Sequence, residues 1–283
     1  MLDRHTIETA VQLALTEDSP FGDVTSEYLI PAGASATAVL NAREVGVFAG
    51  AAVFETAFKL VDPSLKVELH LKDGDRFGAG QKLATVTGSA RAILTAERVG
   101  LNFLQRMCGI ATQTAEYVAA IEGTKARIVD TRKTTPGLRA FEKFAVRCGG
   151  GFNHRFSLSD AVMAKDNHLA VLTKSGLSVT EALTRVKAQL PHTMHLEVEV
   201  DRLNQIEEVL AAKPHTIMLD NFSLSDLKTG VQQVAGRATV EASGGVNLST
   251  VRAIAETGVD VISVGALTHH IRSLDLGLDV NIH

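Results

Sequence analysis

Basic residues are concentrated between Asp130 and His168, in a stretch that also contains other residues suited to binding anions. The stretch carries seven Lys or Arg and four acids, which makes it three charges positive in a chain whose net charge is −4. A local positive charge in an acidic protein indicates a pocket for a small polyanion, because no long basic face is present to follow a nucleic-acid backbone. The alternative is a solvated basic helix face. The poor helix formers at 149–151 and 153–155 argue against that alternative.

Polar residues also follow each of six strand-like segments, at 126–130, 160–165, 195–200, 216–220, 238–243 and 259–265. Most of the intervening spacings leave room for one crossover helix, which predicts a parallel α/β sheet or its closed form, a barrel. The carboxyl ends of parallel strands meet on one side. We therefore expect one mouth that holds cations and carboxylates together. The residues that follow the strands are Arg132 with Lys133, Lys165, Glu199, Asp220 with Asn221, Ser243 to Gly245, and Gly265.

Two of these strand ends have the composition of a phosphate site. Ser243-Gly244-Gly245 is followed by Asn247, which we predict to cap a helix, and Gly265 occupies a similar place after the last strand. Glycines allow backbone N–H groups to approach a phosphate, and a helix N-terminus behind them favours negative charge. The alternative for each segment is an ordinary turn glycine.

Glu199 and Asp220 form the acidic part of the expected mouth. Carboxylate oxygens suit Mg²⁺, which retains waters and binds substrate phosphates as well as protein groups. The same two side chains would also suit ribose hydroxyls, or would simply pair with Lys165. These three interpretations stay open on the residues alone.

Length and composition place the chain among compact soluble proteins of one large domain, or of one large and one small domain. It has 283 residues, 45% of them hydrophobic and 21% charged, with no uninterrupted apolar run of membrane-spanning length and no signal-peptide pattern at the start. We expect a cytoplasmic protein without a membrane partner. Cys108 and Cys148 lack any neighbour at metal-ligand spacing, so we interpret both as inert thiols.

The first hundred residues predict a small α/β sandwich. An amphipathic helix covers about residues 3–16, strands cover 37–43 and 65–71, and an apolar helix lies between the strands. A further helix is expected over about 90–107, with a break at Gly109 and another helix over about 112–122.

Seven segments together strongly resemble the quinolinate phosphoribosyltransferase family, and the resemblance covers essentially the whole chain. The long motif at 130–168 is the most specific of them, and Glu17-Asp18 with Gly22-Asp23 also matches. The segments are Asn102 to Thr112, Asp130 to Arg139, Gly149 to Arg155, Lys165 to His168, Leu219 to Asn221, Glu241 to Gly245, and Ile262 to His269.

The resemblance implies an α/β fold with an N-terminal α/β sandwich and an open, seven-stranded, TIM-like α/β barrel. We place the sandwich at 1–108, with 270–283 packing back on it, and the catalytic barrel at 109–269. The family also implies a homodimer, or a hexamer built as a trimer of dimers. In such an assembly the sandwich of one subunit covers the barrel mouth of its neighbour.

The resemblance further implies a reaction between quinolinate and 5-phosphoribosyl-1-pyrophosphate, with Mg²⁺, that gives nicotinate mononucleotide, pyrophosphate and CO₂. Arg132, His154, Arg155 and Lys165 would bind quinolinate, and Arg98 would reach in from a partner subunit. Lys133 would lie near the pyrophosphate. Glu199 and Asp220 would face the ribose and Mg²⁺. The phosphate would be held by Ser243, Gly244, Gly245, Gly265 and His269. Catalytic roles would fall to Lys133, Lys165, Glu199 and Asp220.

Three positions depart from the family pattern: Cys108, Ser157 and Ala164. None of them removes a charged ligand, so they bear on pocket fit and rate. Three other functions stay open: a phosphoribosyltransferase for a pyridine acid that keeps its carboxylates, a Schiff-base barrel enzyme using Lys165, and a ligand-binding protein without turnover. The full set of cations favours a dicarboxylate over a monocarboxylate.

Overall fold

The computed structural model describes residues 2–283, which form two compact units. The first unit comprises residues up to Ala115 together with Thr135–Gly150 and Ile271–His283, and the second comprises Glu116–Thr134 and Gly151–His270. In the first half of the chain the elements are α1 (Arg4–Asp18), α2 (Val24–Leu29), β1 (Ser35–Ala42), β2 (Gly46–Val47), α3 (Ala51–Val61), β3 (Lys66–Leu69), β4 (Arg76–Phe77), β5 (Lys82–Ser89), α4 (Ala90–Ala120), β6 (Arg127–Val129) and α5 (Arg139–Cys148).

The second half continues the alternation of strand and helix, with two short 3₁₀ segments at Thr173–Ser175 and Leu203–Gln205. Its elements are β7 (Ala161–Ala164), α6 (Asp166–Leu172), α7 (Val179–Gln189), β8 (His195–Val200), α8 (Ile206–Ala211), β9 (Thr216–Asp220), α9 (Leu224–Val234), β10 (Thr239–Ser243), α10 (Val251–Ala255), β11 (Val261–Ser263), α11 (Ala266–His269) and β12 (Leu276–Ile282).

The first unit is built on a four-stranded antiparallel sheet in the order β12, β1, β5, β3. Alternate residues of β1 are buried, which places its small apolar side chains on the core face. The aromatic side chains of Phe48, Phe54 and Phe58 fill that core, and the first turns of α4 contribute Ile93 and Ala96. The C-terminal strand β12 pairs with β1 over residues 276–282, and so lies within this unit.

The predicted helix break at Gly109 is wrong, because α4 is continuous over 31 residues. Gly109 has a different role. A side chain at this position would collide with the backbone carbonyl oxygen of Arg272, so the glycine permits a close approach of two backbones. The low helix propensity of glycine predicted an interruption here. In the fold, the absence of a Cβ instead allows the close packing against Arg272.

Helix α5 groups with the first unit, although its residues fall inside the 109–269 range that we predicted for the barrel domain. Arg106 of α4 forms an ion pair with the buried Glu142 of α5 at 2.6 Å. The rings of Phe103 and Phe141 lie 5.3 Å apart between centroids. These contacts between α4 and α5 explain why α5 belongs to the first unit. The hydrophobic periodicity of the sequence does not predict them.

The second unit contains a six-stranded parallel sheet in the order β6, β11, β10, β9, β8, β7. All six predicted strands are present. Phe152 adds a single parallel bridge to Val129 of β6, and stands where a seventh strand would lie. The fold-class prediction is confirmed: a small N-terminal sheet unit is combined with a parallel α/β unit.

No helix within residues 2–283 combines the length and the apolar character that a membrane crossing requires.

Candidate active site

A cavity of about 860 Å³ lies in the second unit and is lined by residues that follow its strands. Thr131, Arg132 and Lys133, which follow β6, line the same cavity as Met163 of β7, although the two strands are at opposite ends of the sheet. The sheet must therefore curve so that its carboxyl ends converge, as in an open barrel. Twelve predicted site residues line the cavity: Arg132, Lys133, His154, Arg155, Lys165, Glu199, Asp220, Ser243, Gly244, Gly245, Gly265 and His269.

Arg98 is the predicted site residue that does not line this cavity. It lies on α4 in the first unit, with an exposed side chain. Its predicted role in a partner subunit's site stays a prediction.

The strand register explains how residues distant in sequence become neighbours. On β8, residues 195, 197 and 199 share one face, because side chains alternate along a strand. Asp220 at the end of β9 is the register partner of Ser243 at the end of β10. The carboxylate and the start of the glycine segment are thus placed side by side by backbone pairing alone.

Two guanidinium groups provide much of the positive charge. Arg155 donates a hydrogen bond from Nη1 to the carbonyl oxygen of Ala161 at 3.0 Å, and its Nη2 contacts the sulfur of Met163 at 3.6 Å. Burial, followed by the charge of Arg132, lowers the pKa of Arg155. The Nε of Arg132 is buried and has no hydrogen-bond partner among the described residues. Both observations describe cations that an anionic ligand would stabilise.

The acidic side of the cavity is already paired in part. Lys165 Nζ contacts Glu199 Oε2 at 2.5 Å, so the pairing with Lys165 that the sequence left open is seen for Glu199. Asp220 Oδ2 accepts a hydrogen bond from the Asn221 side chain at 2.7 Å. That asparagine adopts a left-handed backbone conformation with φ of 57°.

The glycine segment after β10 has the conformation that its composition predicted. Gly244 and Gly245 have φ of +92° and +62°, in the left-handed region where side chains are disfavoured. A side chain at Gly244 would also collide with the amide oxygen of Asn221, whereas the space around Gly245 is open. Open space beside a Cβ-free backbone suits a phosphate group.

The prediction that Asn247 caps a helix is wrong. The N-cap of α10 is Thr250, three residues later. The side-chain oxygen of Asn247 instead accepts a hydrogen bond from Ser249 N–H at 3.0 Å, which forms a turn ahead of the helix. An Asn followed by Ser or Thr can form local hydrogen bonds both as a helix N-cap and in a turn ahead of a helix. The sequence alone therefore does not distinguish the two arrangements.

At the end of β11, Gly265 is packed against two predicted phosphate-binding side chains. A Cβ at this position would lie 3.0 Å from His269 Cε1 and 3.1 Å from Lys133 Cδ, closer than ordinary van der Waals contact. The His269 Nδ1 lies 2.5 Å from the Gly265 carbonyl oxygen. The hydroxyl of Thr268 donates to the Lys133 carbonyl oxygen at 2.7 Å, which links the loops after β6 and β11.

Glu197 and Glu241 are site residues that the sequence did not suggest. Their carboxylates lie 3.2 Å and 3.5 Å from His154 Nε2, and both side chains are almost fully buried. Of residues 2–283, these three form the one group of His, Cys, Asp or Glu whose donor atoms are close enough to hold a metal ion. The available signal was their spacing: each Glu precedes a predicted site residue by two, on the same strand face.

Comparison with known proteins bears on the whole chain. Residues 23–108 match the family model "Quinolinate phosphoribosyl transferase, N-terminal domain", and residues 110–279 match the corresponding C-terminal domain model. The "Nicotinate-nucleotide pyrophosphorylase [carboxylating]" of Mycobacterium leprae is 45% identical over 95% of both chains. A probable enzyme of the same name from Bacillus subtilis is 42% identical over 94% of this chain and 90% of the other.

Solved structures agree with the sequence comparisons. The crystal structure of NadC from Streptococcus pyogenes superposes with a TM-score of 0.95 at 41% identity, over 100% of this chain and 99% of that one. The nicotinate-nucleotide pyrophosphorylase from Francisella tularensis superposes with a TM-score of 0.92 at 37% identity, over 99% and 98%.

Proposed function

The chain belongs to the quinolinate phosphoribosyltransferase family, and we propose that it transfers the phosphoribosyl group of 5-phosphoribosyl-1-pyrophosphate to quinolinate with loss of CO₂. The products are nicotinate mononucleotide and pyrophosphate, in the synthesis of NAD. The observation that carries the proposal is the cavity itself, in which twelve residues expected for this reaction come together from six strand ends and from the loop after Phe152. We propose that it acts in the cytoplasm, on small charged metabolites.

The cations of the cavity answer the main difficulty of this reaction, which is to bring a dianion beside a phosphate and a pyrophosphate. Each charge-assisted hydrogen bond contributes about 1.5–3 kcal/mol, and a guanidinium binds a carboxylate through two parallel bonds. We assign Arg132, Arg155 and Lys165, with the charge of His154, to the quinolinate carboxylates. Lys133 is assigned to the pyrophosphate.

The chemistry needs few proton transfers. The bond between the ribose C1′ and the pyrophosphate oxygen breaks, and the pyridine nitrogen forms a new bond to C1′. The ribose carries positive charge in that transition state, which the carboxylates of Glu199 and Asp220 stabilise. The ring nitrogen is then cationic. Its positive charge stabilises the electron pair left on C2 when the C2 carboxylate departs as CO₂, and that pair then binds a proton.

Glu199 and Asp220 are also the residues that we propose for Mg²⁺. Both line the cavity, Asp220 is the register partner of Ser243, and Mg²⁺ is commonly held by one or two carboxylates plus substrate phosphates. Asp220 has an oxygen beyond the one bound to Asn221, whereas Glu199 is engaged by Lys165. When bound with the donor, Mg²⁺ neutralises the charge that develops on the pyrophosphate.

We also propose a homodimer, with assembly into a hexamer as an extension of it, in which Arg98 acts in the cavity of the other subunit. Its exposed position on α4 and its absence from the cavity lining support a role in trans. Phe21, Tyr28 and Leu29 of the first unit are 95%, 86% and 74% exposed, an apolar surface that suits a subunit interface.

Mixing two impaired variants tests action in trans. Arg98→Ala and Arg155→Ala proteins, each with low activity at quinolinate concentrations below their raised KM, should gain activity when mixed and allowed to exchange subunits, because a mixed dimer contains one intact site. Light scattering of the wild type gives the assembly size in parallel. Exchange without recovered activity would contradict the proposed role of Arg98.

The three alternative functions are less well supported by the cavity. The ammonium of Lys165 is paired with Glu199, and a paired ammonium has no free electron pair with which to form a Schiff base. A simple binding protein does not require carboxylates and cations in one cavity.

Incubation of purified protein with the donor and Mg²⁺, and with quinolinate or nicotinate in parallel, tests the proposal. Mononucleotide formation from nicotinate alone would support the rival phosphoribosyltransferase.

A further inference from the structure

His154 is held by two buried carboxylates for which the proposed reaction gives no direct use. Its Nε2 lies 3.2 Å from Glu197 Oε2 and 3.5 Å from Glu241 Oε2. Glu197 belongs to β8 and Glu241 to β10, and both strands pair with β9, where their register partners are Thr216 and Met218. Because these two partners are two residues apart on β9, both carboxylates lie on the same face of the sheet.

This arrangement is costly in a cavity for anions. Glu197 and Glu241 are each 3% exposed, and the Oε1 atom of each lacks a hydrogen-bond partner among the described residues. A buried, unsatisfied carboxylate destabilises the folded state, and negative charge beside the cavity weakens the attraction of a dianion. The two carboxylates must therefore contribute something that offsets both effects.

The remaining contacts of His154 show what they hold in place. Its backbone N–H donates to Asp130 Oδ1 at 2.8 Å, and its Nδ1 accepts from the Arg155 N–H at 2.7 Å. The imidazole thus connects the two carboxylates to the backbone of the next residue. That residue is Arg155, whose guanidinium lines the cavity.

We infer that Glu197 and Glu241 are positioning residues, which hold the His154 ring at Nε2 and thereby fix the backbone from which Arg155 extends toward quinolinate. The inference rests on the proposed function, because it uses the assignment of Arg155 to quinolinate. It concerns two residues that act through a third.

The position of the ring proton is compatible with this role. Burial alone would lower the pKa of His154, but the hydrogen bonds to Glu197 and Glu241 outweigh it and raise the pKa to about 10. The bond from Arg155 N–H to Nδ1 opposes this rise without cancelling it, because only the neutral ring has a bare Nδ1. Both forms carry a proton on Nε2, so the contact with the carboxylates is kept in either. Asp130 accepts a bond from the His154 backbone, the Arg155 backbone donates to the ring, and His154 also interacts electrostatically with His195.

Glutamine replacements test the inference by the sign of their effect. If the carboxylates acted only through their charge, Glu197→Gln and Glu241→Gln would tighten the binding of a dianion. As positioning residues, they should instead raise the quinolinate KM about tenfold when replaced, with the donor KM nearly unchanged. Glu207→Gln, which removes an exposed carboxylate paired with Arg237, is the matched control and should change neither value. A lowered quinolinate KM in the Gln variants would overturn the inference.

A spectroscopic measurement separates the inference from the proposed function and from a folding defect. In full-length wild type with ¹⁵N-labelled histidine, the His154 Nε2 should remain protonated between pH 6 and 9, and a His154→Asn variant identifies the signal. Weaker protection of that proton in the Gln variants supports the positioning role. An unprotonated Nε2 in the wild type would overturn it. So would loss of the proton on adding one equivalent of Zn²⁺, since the three side chains would then be a metal site. An absence of wild-type turnover would reject the proposed function while this measurement still reports on the ring.

Discussion

At the scale of single residues, Arg155 is the side chain with the sharpest expected effect on substrate binding. Its guanidinium is partly desolvated beside Arg132, so it gains stabilisation when an anion enters. Replacing it by Ala removes charge-assisted hydrogen bonds of about 1.5–3 kcal/mol each, which corresponds to a rise in quinolinate KM of about 10- to 100-fold.

Steady-state kinetics with each substrate varied in turn checks this expectation. Arg237→Ala is the control, because Arg237 is half-exposed and pairs with Glu207 far from the cavity lining. Equal KM values in wild type and Arg155→Ala would remove Arg155 from the quinolinate site.

His154 should give the protein a stability that depends on pH. Its folded pKa of about 10 lies above the ordinary value of 6.5, so folding favours the protonated ring. That stabilisation is fully present below about pH 6.5 and is lost as the pH rises toward 10. The difference in melting temperature between wild type and His154→Asn should shrink over this range. A difference that grows with pH would contradict the direction of the shift.

The two cysteines should be chemically silent in the folded protein. Burial is the main cause that raises the pKa of both Cys108 and Cys148 to about 12, so neither forms the reactive thiolate at pH 8. A chromogenic disulfide reagent should label no thiol in the native chain and two in guanidinium. Cys108 is buried and Cys148 is partly buried, so rapid labelling of the native protein at pH 8 would contradict the raised pKa of the two thiols.

At the scale of elements, Gly109 in α4 tests whether propensity or packing decides the local structure. Alanine in a helix interior is favoured over glycine by about 1 kcal/mol, so Gly109→Ala would stabilise an isolated helix. Here the added methyl group collides with the Arg272 carbonyl oxygen, so we expect a lower melting temperature. Gly78→Ala, at a position with open space, should be tolerated. Stabilisation by Gly109→Ala would show that the two backbones are not in close contact.

The strands of the parallel sheet are the part of the fold that the sequence predicts best. Strands covered on both faces need apolar runs, and the β9 segment Thr216–Asp220 shows such a run followed by a polar residue. The bridge at Phe152 was not predictable, because one residue carries no periodicity. The continuous α4 was missed for the opposite reason, since the glycine that signals a break there serves a tertiary contact.

The candidate site divides in the same way. Residues that follow a strand, such as Lys165 and Asp220, stand out because a charge there ends an apolar run. Glu197 and Glu241 lie inside strands, where an acid looks like the solvent-facing half of an alternating pattern. Only the curvature of the sheet reveals that this face is the interior. His154 lies between them because of the conformation of its loop, and the loop has no periodic sequence pattern from which that conformation could be predicted.

At the scale of the whole molecule, the cavity must hold two negatively charged substrates together and then release two anions and CO₂. Several loops contribute to it, including those after β6, β10 and β11, and the Thr268 bond to the Lys133 carbonyl ties two of them together. A cavity assembled from separate strand ends depends on the fold of the entire second unit. On heating, activity should therefore be lost over the same temperature range in which this unit unfolds, rather than in a separate earlier stage.

The most direct test of the central claim is to follow the C2 carboxylate itself. Purified protein is given Mg²⁺, 5-phosphoribosyl-1-pyrophosphate and quinolinate labelled with ¹³C in its C2 carboxylate, and labelled CO₂ and mononucleotide are measured together. We predict one CO₂ for each nicotinate mononucleotide formed, and none without the phosphoribosyl donor. Mononucleotide that retains the label, or CO₂ released without the donor, would contradict the account of a decarboxylating phosphoribosyl transfer.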